Sequence, residues 1–248
     1  AYRPIQYAQA YPANPDTTIP DNLQPSTAWT YEAGLRGQTH PALAWESSLF
    51  LIRFTDQIGT VNPNHGPQTT VVGNIGNSRT FGWDSMIRLD LIGLADVGHE
   101  SSETPSTGTE GGFAAPVPNS LTERFGSLSL MAGTTLQEGT YTSGEFARKT
   151  PQYTPDVILR LGLFYNWRNR IKLGLTGSFT GHAYANDNNT APYFMPAYKV
   201  WDVTAEWEIL KNRLTVIAGV NNLLNERYIP RITSTGMDPG MPRNGYLG

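Results

Sequence analysis

The sequence predicts an all-β chain, an antiparallel up-and-down meander of about nine or ten strands. Three observations predict it. Apolar and polar residues alternate with a period of two over stretches of ten or more residues, the pattern of a strand that separates two environments. Short and long connections alternate along the chain, with one exception at 93–123. The composition, with 25 Gly, 18 Pro, 12 Tyr and 6 Trp among 248 residues and only 16% charged, favours strands and long loops over helices.

Taken in order, Tyr2 to Gln9 is a short candidate strand, followed by a Pro/Asn/Asp loop to about Pro25. Ser26 to Gly37 sets Trp29, Tyr31, Ala33 and Leu35 on one face and Thr30, Glu32 and Arg36 on the other. A short turn at 38–41 leads into Leu43 to Ile58, which is apolar on both faces around Leu49 to Ile52, so its orientation stays open. Gly59 to Asn77 reads as a long loop. Arg79 to Ile92 sets Phe81, Trp83, Ile87, Leu89 and Leu91 against Asp84, Arg88 and Asp90. The low-complexity core of 93–123, Ser101 to Gly112, reads as a flexible insertion between strands of one domain spanning 1–248. The pattern resumes at Phe125 to Glu138. A hairpin follows, Asp156 to Trp167 and Ile171 to Ala183 about a tight turn at 168–170, with Leu159, Leu161, Leu163 and Tyr165 on the face of Ile171, Leu173, Leu175 and Phe179. In Tyr198 to Ile209, Trp201, Val203, Ala205 and Trp207 oppose Asp202, Thr204, Glu206 and Glu208. Leu214 to Asn221 alternates again, a Pro- and Gly-containing loop follows, and Arg243 to Gly248 reads as the start of one more strand.

Composition excludes several functions. Net charge is −3, which gives no basic field for nucleic acid, and the absence of Cys removes disulfides, thiolate metal sites and cysteine catalysis. The four His (His40, His65, His99, His182) are dispersed, and no catalytic or metal-binding constellation is apparent, so the chain reads as a non-enzyme without resident cofactor or metal. Mean hydropathy is −0.36 and no run approaches the length of a membrane helix. A membrane β-barrel remains open, because only every second residue of its strands faces lipid. Long strands, short turns at one end, long loops at the other, and Trp29, Trp45, Trp83, Trp167, Trp201 and Trp207 as interfacial girdles all fit such a barrel. A soluble sandwich with a water-facing polar side gives the same alternation. No leader segment is recognisable, so the chain reads as mature, processed or partial.

Several motifs, in order, carry a resemblance. They are Asn22-Leu-Gln-Pro-Ser-Thr-Ala-Trp-Thr-Tyr-Glu-Ala-Gly-Leu-Arg36 and Phe50-Leu-Ile-Arg-Phe-Thr-Asp-Gln-Ile58. Gly76-Asn-Ser-Arg-Thr-Phe-Gly-Trp-Asp84, Tyr153-Thr-Pro155, Asn221-Asn-Leu-Leu-Asn-Glu-Arg-Tyr228 and Gly240-Met-Pro-Arg243 follow. Together they resemble the C-terminal barrel strands of TonB-dependent outer-membrane siderophore receptors, with the nearest likeness to the ferric dicitrate type. Ser26 stands where that family usually has Glu.

The resemblance implies an antiparallel transmembrane barrel portion, nine or ten strands of about 22, one strand short of closure, in the outer membrane of a Gram-negative bacterium. It implies uptake of a ferric chelate (citrate or a siderophore), with the TonB complex acting through a plug domain that this sequence does not include. The surroundings would be outer-membrane lipid and lipopolysaccharide. Ligand donors on the predicted extracellular loops are Asn62, His65, Gln68, Arg227, Arg231, Thr233 and Ser234, because a chelate rich in carboxylate oxygens takes charge-assisted and neutral hydrogen bonds. Asn62 falls about where the citrate type has a ligand-contacting loop residue. Two alternatives are a non-transporting membrane scaffold that binds protein partners through 93–123, and a soluble β-sandwich binding module.

Overall fold

The computed structural model describes residues 2–3, 17–18, 22–61, 70–100, 121–233 and 236–248. One antiparallel sheet dominates. Its strands are β1 (Tyr2–Arg3), β3 (Ser26–His40), β4 (Leu43–Val61), β5 (Thr70–Asp90), β6 (Ser127–Tyr141), β7 (Val157–Trp167), β8 (Ile171–Thr180), β11 (Tyr198–Leu210), β12 (Leu214–Asn221) and β15 (Asn244–Leu247). They pair in that order, each with its predecessor, while the two-residue β2 (Thr17–Thr18) adds to β5 in parallel. Two small hairpins, β9 (Ala183–Tyr184) with β10 (Phe194–Met195) and β13 (Arg231–Thr233) with β14 (Gly236–Asp238), lie in the long connections. Among the described residues β1 and β15 edge the sheet and do not pair with each other.

Register carries one side of the alternation across the whole wall. Tyr31 opposes Leu51, Leu51 opposes Phe81, and Leu49 opposes Trp83, which opposes Leu136. Further along, Leu130 opposes Leu163, Leu163 opposes Leu175, Leu175 opposes Val203, and Val203 opposes Val220. A period of two keeps each of these sets on one face. The opposite face holds Glu32, Glu46, Asp84, Arg88, Arg160, Lys172, Asp202 and Glu206 by the same registers. The ambiguous apolar run of β4 is thereby settled: Leu49 and Leu51 join the apolar face, whereas Phe50, Ile52 and Phe54 join the polar one.

Magnitude decides what the apolar face meets. Leu35 is 73% and Trp29 62% exposed, and Leu49, Phe81, Ile87, Leu161, Leu173 and Trp207 are all exposed on the same side. Each costs roughly 1.5–3 kcal/mol if left fully in water. At their roughly half exposure the eight together cost about 6–12 kcal/mol, comparable with the ~5–15 kcal/mol that holds a whole domain together. No second sheet packs on this face among the described residues, so the sandwich expectation fails and a hydrocarbon solvent satisfies it. Trp45, Trp167 and Trp207 lie within about a turn's reach of the short-turn end, and Trp29 and Trp201 near the opposite strand ends, as girdle residues do. Trp83 departs from the expectation: it stands mid-strand, its indole donating to Ser47 Oγ at 2.8 Å.

Aromatic rings lie over cross-strand glycines on both faces. Trp201 opposes Gly177, where an added Cβ would come within 2.6 Å of the indole; Phe50 opposes Gly82, and Phe164 opposes Gly174. A flat ring covers the backbone that the glycine leaves bare, and the pair fixes register.

The turns at 41–42, 168–170 and 211–213 join strands at one end, and the long connections after β4, β6, β8 and β12 join them at the other. Two expectations change. The supposed loop 59–77 is mostly strand, because β4 runs to Val61 and β5 starts at Thr70, a hairpin projecting beyond its neighbours; only 62–69 fall outside the described residues. At the short-turn end, β5 stops at Asp90 rather than running to Ile92. Helix α1 (Leu91–Glu100) starts there, and the short α2 (Leu121–Phe125) packs on it before β6. Asp90 Oδ1 accepts from the Gly93 amide at 3.1 Å, an N-cap bond. The core of the expected flexible insertion, 101–120, lies outside the described residues.

Candidate ligand-binding rim

The long-loop end is a consolidated surface rather than separate loops. Its first anchor is Tyr141, the last residue of β6, above the apolar band that ends on this strand at Leu136. Its ring packs with Ile75 and Phe146 in a buried cluster. Its hydroxyl donates to Asp187 Oδ1 at 2.8 Å and accepts from Gln57 Nε2 at 3.2 Å, while Ser78 Oγ donates to Gln57 Oε1 at 2.9 Å. Asp187, itself buried, also accepts from the Gln152 amide at 3.0 Å. The chain of bonds ties β4, β5, β6 and the connections 142–156 and 181–197 together. Burial first, then the bond to Asp187 and its charge, pushes the Tyr141 phenol well above the usual tyrosine range.

Nearby, Ser26 closes the irregularity in β4. Its Oγ donates to the Asp56 carbonyl at 2.8 Å and accepts from the Ile58 amide at 2.9 Å. A short hydroxyl fits this place. Ser26 is buried, and both bonds of its hydroxyl go to the backbone of β4.

The second anchor is Asn222. It is almost fully buried with a positive φ of 50°, which Asn tolerates better than most residues. Its amide donates to Asp202 Oδ1 at 2.7 Å. Its side chain donates to the Glu226 and Met241 carbonyls and accepts from the Glu226 amide at 2.8 Å. Asn225, at φ 55°, accepts from the Arg243 amide at 3.3 Å, and Tyr228 stacks on Tyr198 with centroids 4.5 Å apart. The Asn221–Tyr228 motif is thus a clamp that starts and ends the last long connection.

Arg227 is held between two anchored residues and stands exposed, with no ion pair among the described residues. Arg231, in β13, also stands exposed but faces Asp238 at 3.9 Å, so part of its charge is answered within the protein. Thr233 Oγ1 donates to the Gly236 carbonyl at 3.1 Å. Between Arg231 and Thr233, Ile232 is buried with Ala183, Ala185 and Met195, and its carbonyl accepts from Tyr153 Oη at 2.6 Å. The structure therefore brings Arg227, Arg231 and Thr233 onto one connection of one rim. Asn62, His65, Gln68 and Ser234 lie outside the described residues.

Sequence reasoning missed Arg148, exposed at φ 68° in the connection after β6, and Lys149, whose Nζ donates to the Asn188 carbonyl at 2.8 Å. Their signal was present as an Arg-Lys pair in a long loop, but nothing in sequence placed it beside 186–190. On the inner face, a groove of about 590 Å³ is lined by Glu46, Asp84, Met131, Arg160, Phe164 and Asp202. With three carboxylates against one guanidinium it suits water or a polar protein surface, and an anionic chelate poorly. Among the described residues no group of three His, Asp or Glu is placed to hold a metal ion.

A comparison with curated proteins finds no match. Solved structures match in fold. The unliganded ferric citrate transporter FecA aligns at TM-score 0.65 and 20% identity, over 90% of this chain and 31% of FecA. The siderophore receptor PiuA from Acinetobacter baumannii aligns at 0.62 and 17%, over 91% of this chain and 28% of that one. The ferric-catecholate import receptor Fiu from E. coli K12, in its closed form, aligns at 0.59 and 20%, over 91% and 27%. The chain thus spans between about a quarter and a third of these receptors. The family model described as TonB dependent receptor-like, beta-barrel, matches residues 1–223. With an apolar outer face, a charged inner face and that match over most of its length, the chain belongs to the TonB-dependent receptor β-barrel family of the Gram-negative outer membrane.

Proposed function

We propose that this chain is wall and outer rim of a receptor that takes up a ferric chelate, citrate or a siderophore, through the outer membrane. The observation that carries the reading is the asymmetry of the wall. The long connections after β4, β6, β8 and β12 share one end, where Tyr141–Asp187 and Asn222 lock loops into one surface carrying Arg227, which has no ion pair among the described residues. A ferric chelate of carboxylates or catecholates is anionic, and a guanidinium answers it with two parallel donors. Arg227 is the leading donor, with Arg231, Thr233, Ser234, Asn62, His65 and Gln68 as its neighbours in role. The polar inner face, with Glu46, Asp84, Arg160 and Asp202, would meet a plug domain through which TonB acts.

The test uses the whole outer-membrane protein. Binding is titrated with ferric citrate, a ferric catecholate and a ferric hydroxamate, and iron uptake is followed with and without an energised inner membrane. One chelate class is expected to bind and to enter only with energy coupling. Arg227→Gln should weaken it roughly tenfold or more, the loss of one charge-assisted contact. Passive uptake, or binding indifferent to charge on the rim, would overturn the reading.

A further inference from the structure

The connection between β5 and β6 is the one long connection at the short-turn end, and its use is not explained by uptake. It ends in α2, and α2 is pinned by side chains of the outer face. Tyr165 Oη donates to the Phe125 carbonyl at 2.8 Å, and Trp167 Nε1 reaches the Arg124 carbonyl at a long 3.4 Å. Gly126 then turns at φ 83° against the backbone of Asn166, a conformation that a Cβ would not permit. By register Tyr165 and Trp167 lie on the apolar face, in line with Leu128 and Ile171.

Two guanidinium groups stand at this corner. Arg124 lies over the Phe125 ring at 5.1 Å and Arg168 over the Trp167 ring at 5.4 Å. Neither has a carboxylate partner among the described residues. Stacking on a ring holds a guanidinium flat and leaves its edge donors free. Directly along the strands from these rings run Leu163, Leu161 and Leu173, all exposed on the apolar face. Phe125 is exposed as well.

Short turns mark the periplasmic side of an outer-membrane barrel. We infer that Arg124 and Arg168, stacked on Phe125 and Trp167, form a binding site for the headgroup phosphate of an anionic phospholipid of the periplasmic leaflet. The phosphate bridges the two guanidinium edges, and the acyl chains lie along Leu161, Leu163 and Leu173. Charge complementarity and continuity with the lipid-facing band both select a lipid over a soluble partner. α2 and the Gly126 turn thereby act as a lipid anchor at the rim. The inference rests on the membrane reading of the wall and is independent of which chelate is carried.

The whole protein, extracted in a neutral detergent, is titrated with phosphatidylglycerol and with phosphatidylcholine, and bound lipid is counted by native mass spectrometry. Wild type should retain phosphatidylglycerol about tenfold better or more, as two arginines at an anionic headgroup imply. Arg124→Gln with Arg168→Gln should abolish that preference while leaving phosphatidylcholine retention, folding and chelate binding unchanged. Arg53→Gln with Arg79→Gln, an exposed outer-face pair toward the long-loop end, should leave the preference intact. An unchanged preference in the Arg124/Arg168 variant would overturn the site. So would inorganic phosphate binding there as well as the lipid does, since the acyl chains would then contribute nothing.

Discussion

Replacing Tyr141 with Phe removes one oxygen and leaves the ring against Ile75 and Phe146. That oxygen donates to Asp187 at 2.8 Å and accepts from Gln57 at 3.2 Å, both inside the rim. A hydrogen bond to a charged group contributes about 1.5–3 kcal/mol and a neutral one about 1, so the variant should lose roughly 2–4 kcal/mol. The loss is local, because the 142–156 connection hangs on Tyr141 through backbone bonds to Arg148 and Lys149, while Asp187 holds 181–197. Native hydrogen exchange reads it directly. The Tyr141, Lys149 and Gln152 amides should exchange roughly thirtyfold to several hundredfold faster, and the β7–β8 amides should not change. A cycle with Asp187→Ala should give a coupling of at least ~1 kcal/mol. Because burial raises the phenol's pKa, the stabilisation is fully present below about pH 10 and is lost as pH rises beyond it. Unchanged exchange in Tyr141→Phe, or a coupling near zero, would refute the idea that this bond locks the rim.

Two further outcomes follow from the wall. Leu161→Arg puts a charge mid-strand on the apolar face and should cost about 2–4 kcal/mol in reversible unfolding from lipid, whereas Phe164→Arg, on the polar face, should cost less than half of that. Gly144→Ala should destabilise more than Gly177→Ala. Gly144 sits at φ 86° with its added Cβ against the backbone of Ile75, which cannot yield, whereas at Gly177 the obstacle is the Trp201 ring, which can swing aside. Thermal unfolding of the two variants decides the order.

Much of the wall was legible because a membrane strand writes its two faces into alternate residues. Trp29 to Leu35, Phe81 to Leu89 and Trp201 to Trp207 sort as expected. β4 was not legible, since Phe50, Ile52 and Phe54 are apolar on the polar face, and what holds Phe50 there is Gly82, thirty-two residues on. Helix α1 was hidden by the strand pattern that runs through Leu91, although its capping residue Asp90 was in view. The rim was least legible. Tyr141, Asp187 and Asn222 act through partners that lie tens of residues or a whole connection away, and no local period marks them. The motif containing Asn222 was recognised as a pattern, but its work as a clamp appears only in three dimensions.

The central claim is that one face of this wall meets lipid and the other water. Single cysteines can be placed one at a time along β7 from 157 to 167, in a stretch with no cysteine of its own, and spin-labelled in the whole protein, cleared of any other cysteine and reconstituted in lipid. Oxygen, which partitions into lipid, should relax labels at 157, 159, 161, 163 and 165, and a water-soluble nickel chelate should relax those at 158, 160, 162 and 164. A period of two with that phase is the predicted result. Uniform accessibility along the strand, or the opposite phase, would contradict it.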